Sequence, residues 1–186
     1  MTAVDDQALL ERLRWSDPQA AFRELVAAHG KAIYNVALFT LNDEVMAADA
    51  TQEVYIRIWR GLKGFKAQAK LTSWIYRITK NVCYDYLKKR HPERLDEDGE
   101  GALADSDQAG PEGQYLADER HLAVRRAVAR LPERQRMAIT LHYFHQRSYE
   151  EVAEIMEQPL GTVKSYLHRA KASLAGFLQE MEGRLV

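Results

Sequence analysis

Thr162, Lys164, Ser165, His168 and Arg169 lie at helical spacing near the C-terminus, opposite the apolar set Val163, Leu167, Ala170 and Leu174. Hydroxyls, imidazoles and cations on one helix side can bond phosphate oxygens and base edges, the chemistry of a helix lying in a DNA major groove. The preceding residues supply the support such a helix needs. Ser148, followed three residues later by Glu151, forms a capping box that starts a first helix. Val152, Ile155 and Met156 give that helix an apolar side, and Pro159 cannot continue it. The break therefore falls near Glu157 to Pro159, and a second helix resumes by Thr162. Helix, tight turn and polar-faced helix make a helix-turn-helix.

A second set lies in the first half of the chain. Phe65 to Asn81 places a short basic loop, with Lys66, Gln68 and Lys70, before a helix carrying Trp74, Tyr76, Arg77, Lys80 and Asn81. Cations that track phosphates beside aromatic rings that stack on bases suit single-stranded nucleic acid. Trp74 has an equally good use as core, with Trp59, Phe65 and Ile78. A third set, Asp49, Gln52 and Glu53, shares one side of a helix otherwise rich in Ile, Val and Trp. It reads either as a solvated face or as an acidic docking patch for a basic protein.

The elements that must hold these groups are all helical. No run alternates as a strand would, so the expected fold is all-α. Asp5 to Arg14 reads as a short helix. Asp17-Pro18 caps a longer one, expected to break or bend near Gly30, and Asn42-Asp43-Glu44 opens another that runs to about Leu62. Ser73 to Arg90 follows, then helices at roughly 114–130, 133–144, 149–156 and 161–182. Residues 91–114 are acidic, Gly-rich and nearly free of large apolar groups, the composition of a flexible linker. The chain thus divides into a helical domain over 1–90, a linker over 91–114 and a helix-turn-helix domain over 115–186.

Charge supports this division. The formal net charge of −1 conceals blocks of −5 (residues 1–54), +9 (55–90), −7 (91–114), 0 (115–159) and +2 (160–186). The +9 block is the one interleaved with aromatics. No apolar run is long enough to span a bilayer, and the acidic start does not read as a secretory signal. The single cysteine, Cys83, excludes an internal disulfide and fits a reducing compartment. His142 and His145 lack a nearby third ligand and read as polar surface residues. No phosphate loop or nucleophile grouping points to an enzyme.

Taken together, Asp49-Ala-Thr-Gln52-Glu53, Ser73-Trp74-Ile-Tyr-Arg77-Ile-Thr-Lys-Asn81, Leu131-Pro132-Glu-Arg-Gln-Arg136 and Ser148-Tyr-Glu-Glu-Val-Ala through Gly161-Thr-Val-Lys-Ser165 resemble the extracytoplasmic-function (ECF) group of bacterial sigma factors. The resemblance covers roughly 20–90 and 115–180. It implies that Asp49, Gln52 and Glu53 dock on a coiled coil of the largest subunit of RNA polymerase. It implies that Lys66, Gln68, Lys70, Trp74, Tyr76, Arg77, Lys80 and Asn81 take the melted −10 strand, and that Thr162, Lys164, Ser165, His168 and Arg169 read the −35 duplex. It further implies a cytoplasmic protein with no cofactor, no membrane insertion and an anti-sigma partner. Two departures stand out. Glu157-Gln158 occupies a turn where relatives often place glycine, so that turn is not expected to use a left-handed residue. Tyr166 sits where arginine is frequent. The rival reading is a stand-alone regulator that binds duplex operator DNA through its helix-turn-helix.

Overall fold

The computed structural model describes residues 17–65, 70–90 and 117–182, all helices and their connections. Helix α1 (Pro18–Leu41) starts where Asp17 accepts a hydrogen bond from the Ala20 amide at 2.9 Å, with proline in the first turn. It runs unbroken through Gly30. A Cβ on Gly30 would lie 2.6 Å from the Tyr55 hydroxyl, so this glycine lets the next helix approach rather than ending its own. Asn42 closes α1 in the left-handed conformation (φ 51°), returning its N–H to the Leu38 carbonyl. Asp43 then caps α2 (Glu44–Gly61) through the Met46 amide at 2.9 Å. So short a connection makes α1 and α2 neighbours.

A single 3-10 turn, Leu62–Gly64, leads towards α3 (Leu71–Arg90), which begins two residues before the expected Ser73. Leu25, Ile33 and Val36 of α1 join Val54 and Ile58 of α2 and Leu71, Ile75 and Val82 of α3, all essentially inaccessible to solvent. Ala47 and Ala50 keep α2 close to its neighbours. The basic end of α3, Lys88 to Arg90, sits at the negative pole of its dipole.

In the second half, α4 (Ala117–Ala129) and α5 (Glu133–Ile139) precede α6 (Tyr149–Met156) and α7 (Leu160–Glu182). The expected helix over 133–144 is thus two structures: after Ile139 the backbone widens into a π turn over Thr140–Phe144. The chain doubles back there, with the Arg147 amide on the Leu141 carbonyl at 3.1 Å and His142 Nδ1 2.7 Å from the Arg147 carbonyl. Leu131, Met137, Leu141, Val152, Ile155, Val163 and Leu167 form the buried side of this half.

The two halves pack directly on each other, and their apolar residues form one continuous cluster. Phe39 stacks on Phe144 with ring centroids 4.4 Å apart, Arg136 enters from α5 to bond the Thr40 carbonyl, and α6 lies along α3. The candidate linker, the helix expected at Asp5 to Arg14, and Lys66 and Gln68 of the basic loop lie outside the described residues.

Candidate nucleic-acid and polymerase interfaces

The helix-turn-helix is built as its residues demand. The Ser148 hydroxyl accepts from the Glu151 amide at 3.1 Å while a Glu151 carboxylate oxygen accepts from the Ser148 amide at 3.0 Å, completing the capping box. Val163, Leu167 and Ala170 bury one side of α7, and Leu174 is half-buried. Lys164, Ser165, His168 and Arg169 face solvent, with Thr162 half-buried beside them. Ser165 Oγ donates to the Gly161 carbonyl at 3.0 Å. The structure therefore brings the candidate duplex-reading set together as one exposed stripe.

The turn between α6 and α7 departs from expectation. Glu157 adopts the left-handed conformation, φ 55° and ψ 43°, a conformation that is uncommon for a residue with a side chain. Its carboxylate reaches back to Lys80 Nζ at 2.6 Å. Lys80 is almost wholly buried, so this pair holds an ammonium group away from water. Tyr166, at the other departure, is half-buried against the core, its hydroxyl accepting from Arg134 at 3.4 Å. Packing has replaced a surface cation there.

The candidate single-strand residues at α3 are together but unequally covered: Tyr76 and Lys80 are buried, Trp74 and Arg77 half-buried, and Lys70 and Asn81 exposed. Tyr76 is 7% exposed; its hydroxyl lies 3.2 Å from His145 Nδ1, and burial raises its pKa. Arg77 pairs with Glu154 at 3.5 Å and Lys70 with Glu151 at 3.1 Å. Trp74 is half-buried, packed on Phe65 at 5.0 Å and close enough to Gly61 that a Cβ there would meet the ring at 2.8 Å. Asn81 is exposed. For Glu151, burial alone would raise the carboxyl pKa, but the Ser148 amide and Lys70 outweigh it and hold the group low. The Lys80 hydrogen bond does the same for Glu157. These acids formed no part of the sequence-based site. Their spacing was visible, but nothing local tells a solvated acid from one that faces a distant cation.

Helix α2 carries a third face. Asp49 and Gln52 are exposed, while Glu53 is half-buried and accepts from Arg57 at 2.8 Å, which also pairs with Asp85 at 2.9 Å. Val45, Ile56 and Trp59 lie on the same side, 73%, 44% and 42% exposed. Val45, Asp49, Gln52, Ile56 and Trp59 alternate steps of four and three, the spacing of a coiled-coil seam. The apolar members were missed in the sequence because a buried role suited them equally well.

The remaining reactive groups are structural. Burial pushes the Cys83 thiol up to about 12, which keeps it protonated. His142 and His145, expected at the surface, are both half-buried, drawn in by the π turn. Among the described residues, no group of three or more His, Cys, Asp or Glu side chains converges as a metal site requires. Nor is any described helix long and apolar enough to cross a membrane.

Comparison with known proteins resolves the family. Residues 25–93 match the Sigma-70 region 2 family and residues 121–174 match Sigma-70, region 4. The chain is 34% identical to the RNA polymerase sigma-H factor of Pseudomonas aeruginosa over 97% of both chains. It is also 34% identical to the ECF RNA polymerase sigma-E factor of Escherichia coli over 96% of both. The chain belongs to the ECF family of RNA polymerase sigma factors. Among solved structures, RpoE of Bartonella quintana, bound to the anti-sigma factor NepR, superposes with a TM-score of 0.65 at 26% identity, covering 85% of this chain and 96% of that one. CnrH, solved with the cytosolic domain of CnrY, shares the fold, with a TM-score of 0.70 at 22% identity over 94% and 97%. In this sigma factor the region 2 match spans most of α1 and all of α2 and α3, with the seam-spaced stripe and the basic face. The region 4 match spans the helix-turn-helix.

Proposed function

We propose that this ECF sigma factor recruits core RNA polymerase through α2 and directs it to promoters through two DNA-binding faces. The α2 stripe, two polar side chains flanked by Val45, Ile56 and Trp59, suits a helical partner with a coiled-coil seam. Glu53 borders it and, through Arg57, helps to hold the end of α2 against α3. The α3 face, with Lys70, Trp74, Tyr76, Arg77, Lys80 and Asn81, and the loop residues Lys66 and Gln68, take the unpaired −10 strand. The α7 stripe, with Thr162, Lys164, Ser165, His168 and Arg169, reads the −35 duplex. Residues 91–114 join a −10 unit over 1–90 to a −35 unit over 115–186.

The observation that supports this reading is that one chain displays an exposed polar, basic stripe on α7 and a separate seam-spaced stripe of polar and apolar side chains on α2. A regulator that acts as a monomer on operator DNA has no use for the second. Holding two modest DNA contacts on one polymerase raises their effective concentration for each other, so neither need be strong alone. The protein does no chemistry of its own, needs no cofactor and works in the cytoplasm, where it meets polymerase and promoter. An anti-sigma protein, such as the one bound to the Bartonella relative, would control it.

Run-off transcription tests the reading: purified core polymerase, with and without the protein, on a pool of genomic promoter fragments. Discrete transcripts that require the protein are expected. Their absence, together with tight duplex binding by the protein alone, would favour the stand-alone regulator.

A further inference from the structure

Helix α6 offers in carboxylates what a nucleic-acid strand offers in phosphates. Glu151, Glu154 and Glu157 follow at intervals of three residues, about 4.5 Å of helical rise each. They meet Lys70 at 3.1 Å, Arg77 at 3.5 Å and Lys80 at 2.6 Å, three of the cations assigned above to the −10 strand. Tyr76, the aromatic among them, is capped by His145, with the Arg147 guanidinium 5.8 Å from its ring centre. By contrast, Lys164, Ser165, His168 and Arg169 on α7 remain exposed. The same packing pairs the three cations of one face and buries Tyr76 and Lys80, leaving Lys70 and Asn81 exposed at its ends, while the other face stays open throughout.

We propose that α6 is an internal stand-in for the −10 strand, and that the free protein is closed: it can meet duplex DNA through α7 but not a single strand through α3 until a partner separates the halves. The proposal rests on the assignment of the α3 face to the single strand. Glu157 is the residue on which closure turns. A glycine would hold its left-handed position without strain, yet the chain keeps a glutamate whose carboxylate reaches Lys80. The Lys80 side chain is only 6% exposed, so losing its partner would strand a buried ammonium and open the contact. Lys70–Glu151, whose lysine is 71% exposed, contributes far less.

The test uses the full chain with spin labels on cysteines introduced at the exposed positions Lys88 and Lys171, the native Cys83 being buried. Double electron–electron resonance reads the separation of the halves. Anisotropy of a fluorescein-labelled, mixed-sequence single-stranded 12-mer reads access to α3. Glu157→Gly should lengthen the distance and tighten strand binding at least fivefold more than Glu150→Gln, which removes an exposed neighbouring charge. Lys80→Glu should also open the protein, and adding Glu157→Lys should close it again, which guards against a variant that merely fails to fold. Unchanged distances in Glu157→Gly and Lys80→Glu would overturn the closure itself. Lengthened distances with no gain in strand binding beyond Glu150→Gln would overturn the occlusion by removing the −10 assignment on which it rests.

Discussion

Arg136 reaches from α5 into the other half of the molecule, placing Nη1 2.8 Å from the Thr40 carbonyl in the last turn of α1. Its Nη2 donates to the Leu131 carbonyl at 3.0 Å, and the residue is only 4% exposed. Carbonyls at a helix end have no partner within the helix, and a cation there also meets the negative pole of the dipole. Burial lowers the Arg136 pKa, with Glu133 opposing it. Arg136→Ala removes both bonds and leaves a buried carbonyl unpaired, at a cost of about 2–3 kcal/mol. Urea denaturation measures it; a loss below about 0.5 kcal/mol would show that the bond adds nothing net.

The approach of Gly30 to Tyr55 predicts a coupling between the two positions. Alanine in a helix interior is favoured over glycine by about 1 kcal/mol. With Tyr55 present, a Cβ at residue 30 would press on the hydroxyl at 2.6 Å, so Gly30→Ala should yield no gain or a loss. In a Tyr55→Phe background the obstruction is gone, and the same change should stabilise by about 1 kcal/mol. Equal effects in both backgrounds, measured as denaturation midpoints, would mean that the helices do not meet there.

Local chemistry was readable where it is settled within a few residues. The caps at Asp17, Asp43 and Ser148 and the apolar side of α7 each depend on neighbours in sequence, and all were legible. Gly30 was misread because a glycine in a helical pattern signals a break and a close approach with the same letter. The left-handed Glu157 was hidden for a related reason: glycine is the usual sign of that conformation, and the contact its carboxylate makes is with Lys80, 77 residues away. The α3 cations were recognisable as a candidate nucleic-acid set, but that carboxylates of α6 and its C-terminal turn pair with them depends on how the two halves pack.

Arg169 is exposed on α7 and turned away from the core. Arg169→Ala should weaken −35-dependent transcription about 5- to 150-fold, the range set by losing one base-edge contact worth about 1–3 kcal/mol. Affinity for core polymerase should not change. Filter binding to polymerase beside run-off assays separates the two, and an equal fall in both would remove this residue from the DNA face.

Asp49 lies within the α2 stripe, between Val45 and Gln52. Asp49→Lys reverses a charge on an exposed surface, so the fold should hold within about 0.5 kcal/mol. Binding to core polymerase should fall at least tenfold. Fluorescence titration of labelled protein with core enzyme checks this, and an unchanged affinity would return the patch to plain solvent exposure.

His145 gives the structure a dependence on pH. Burial first, and Arg147 second, lower its pKa from about 6.5 to about 4, so the folded protein holds it neutral. Around it stand Tyr76 from α3 and Arg147 from its own loop, with Glu151 of α6 behind Arg147. A depressed pKa means that the unfolded chain takes up the proton first. The contribution to stability is therefore complete above about pH 6.5 and is lost as pH falls towards 4, by at most about 1.4 kcal/mol per pH unit for one proton. Glu151 and Glu157, also depressed, add a loss of the same sign only below the ordinary carboxylate range. Denaturation midpoints should thus fall between pH 7.5 and 5.0 in the native sequence and stay nearly level in His145→Gln. Parallel curves for the two proteins would assign the dependence to another group.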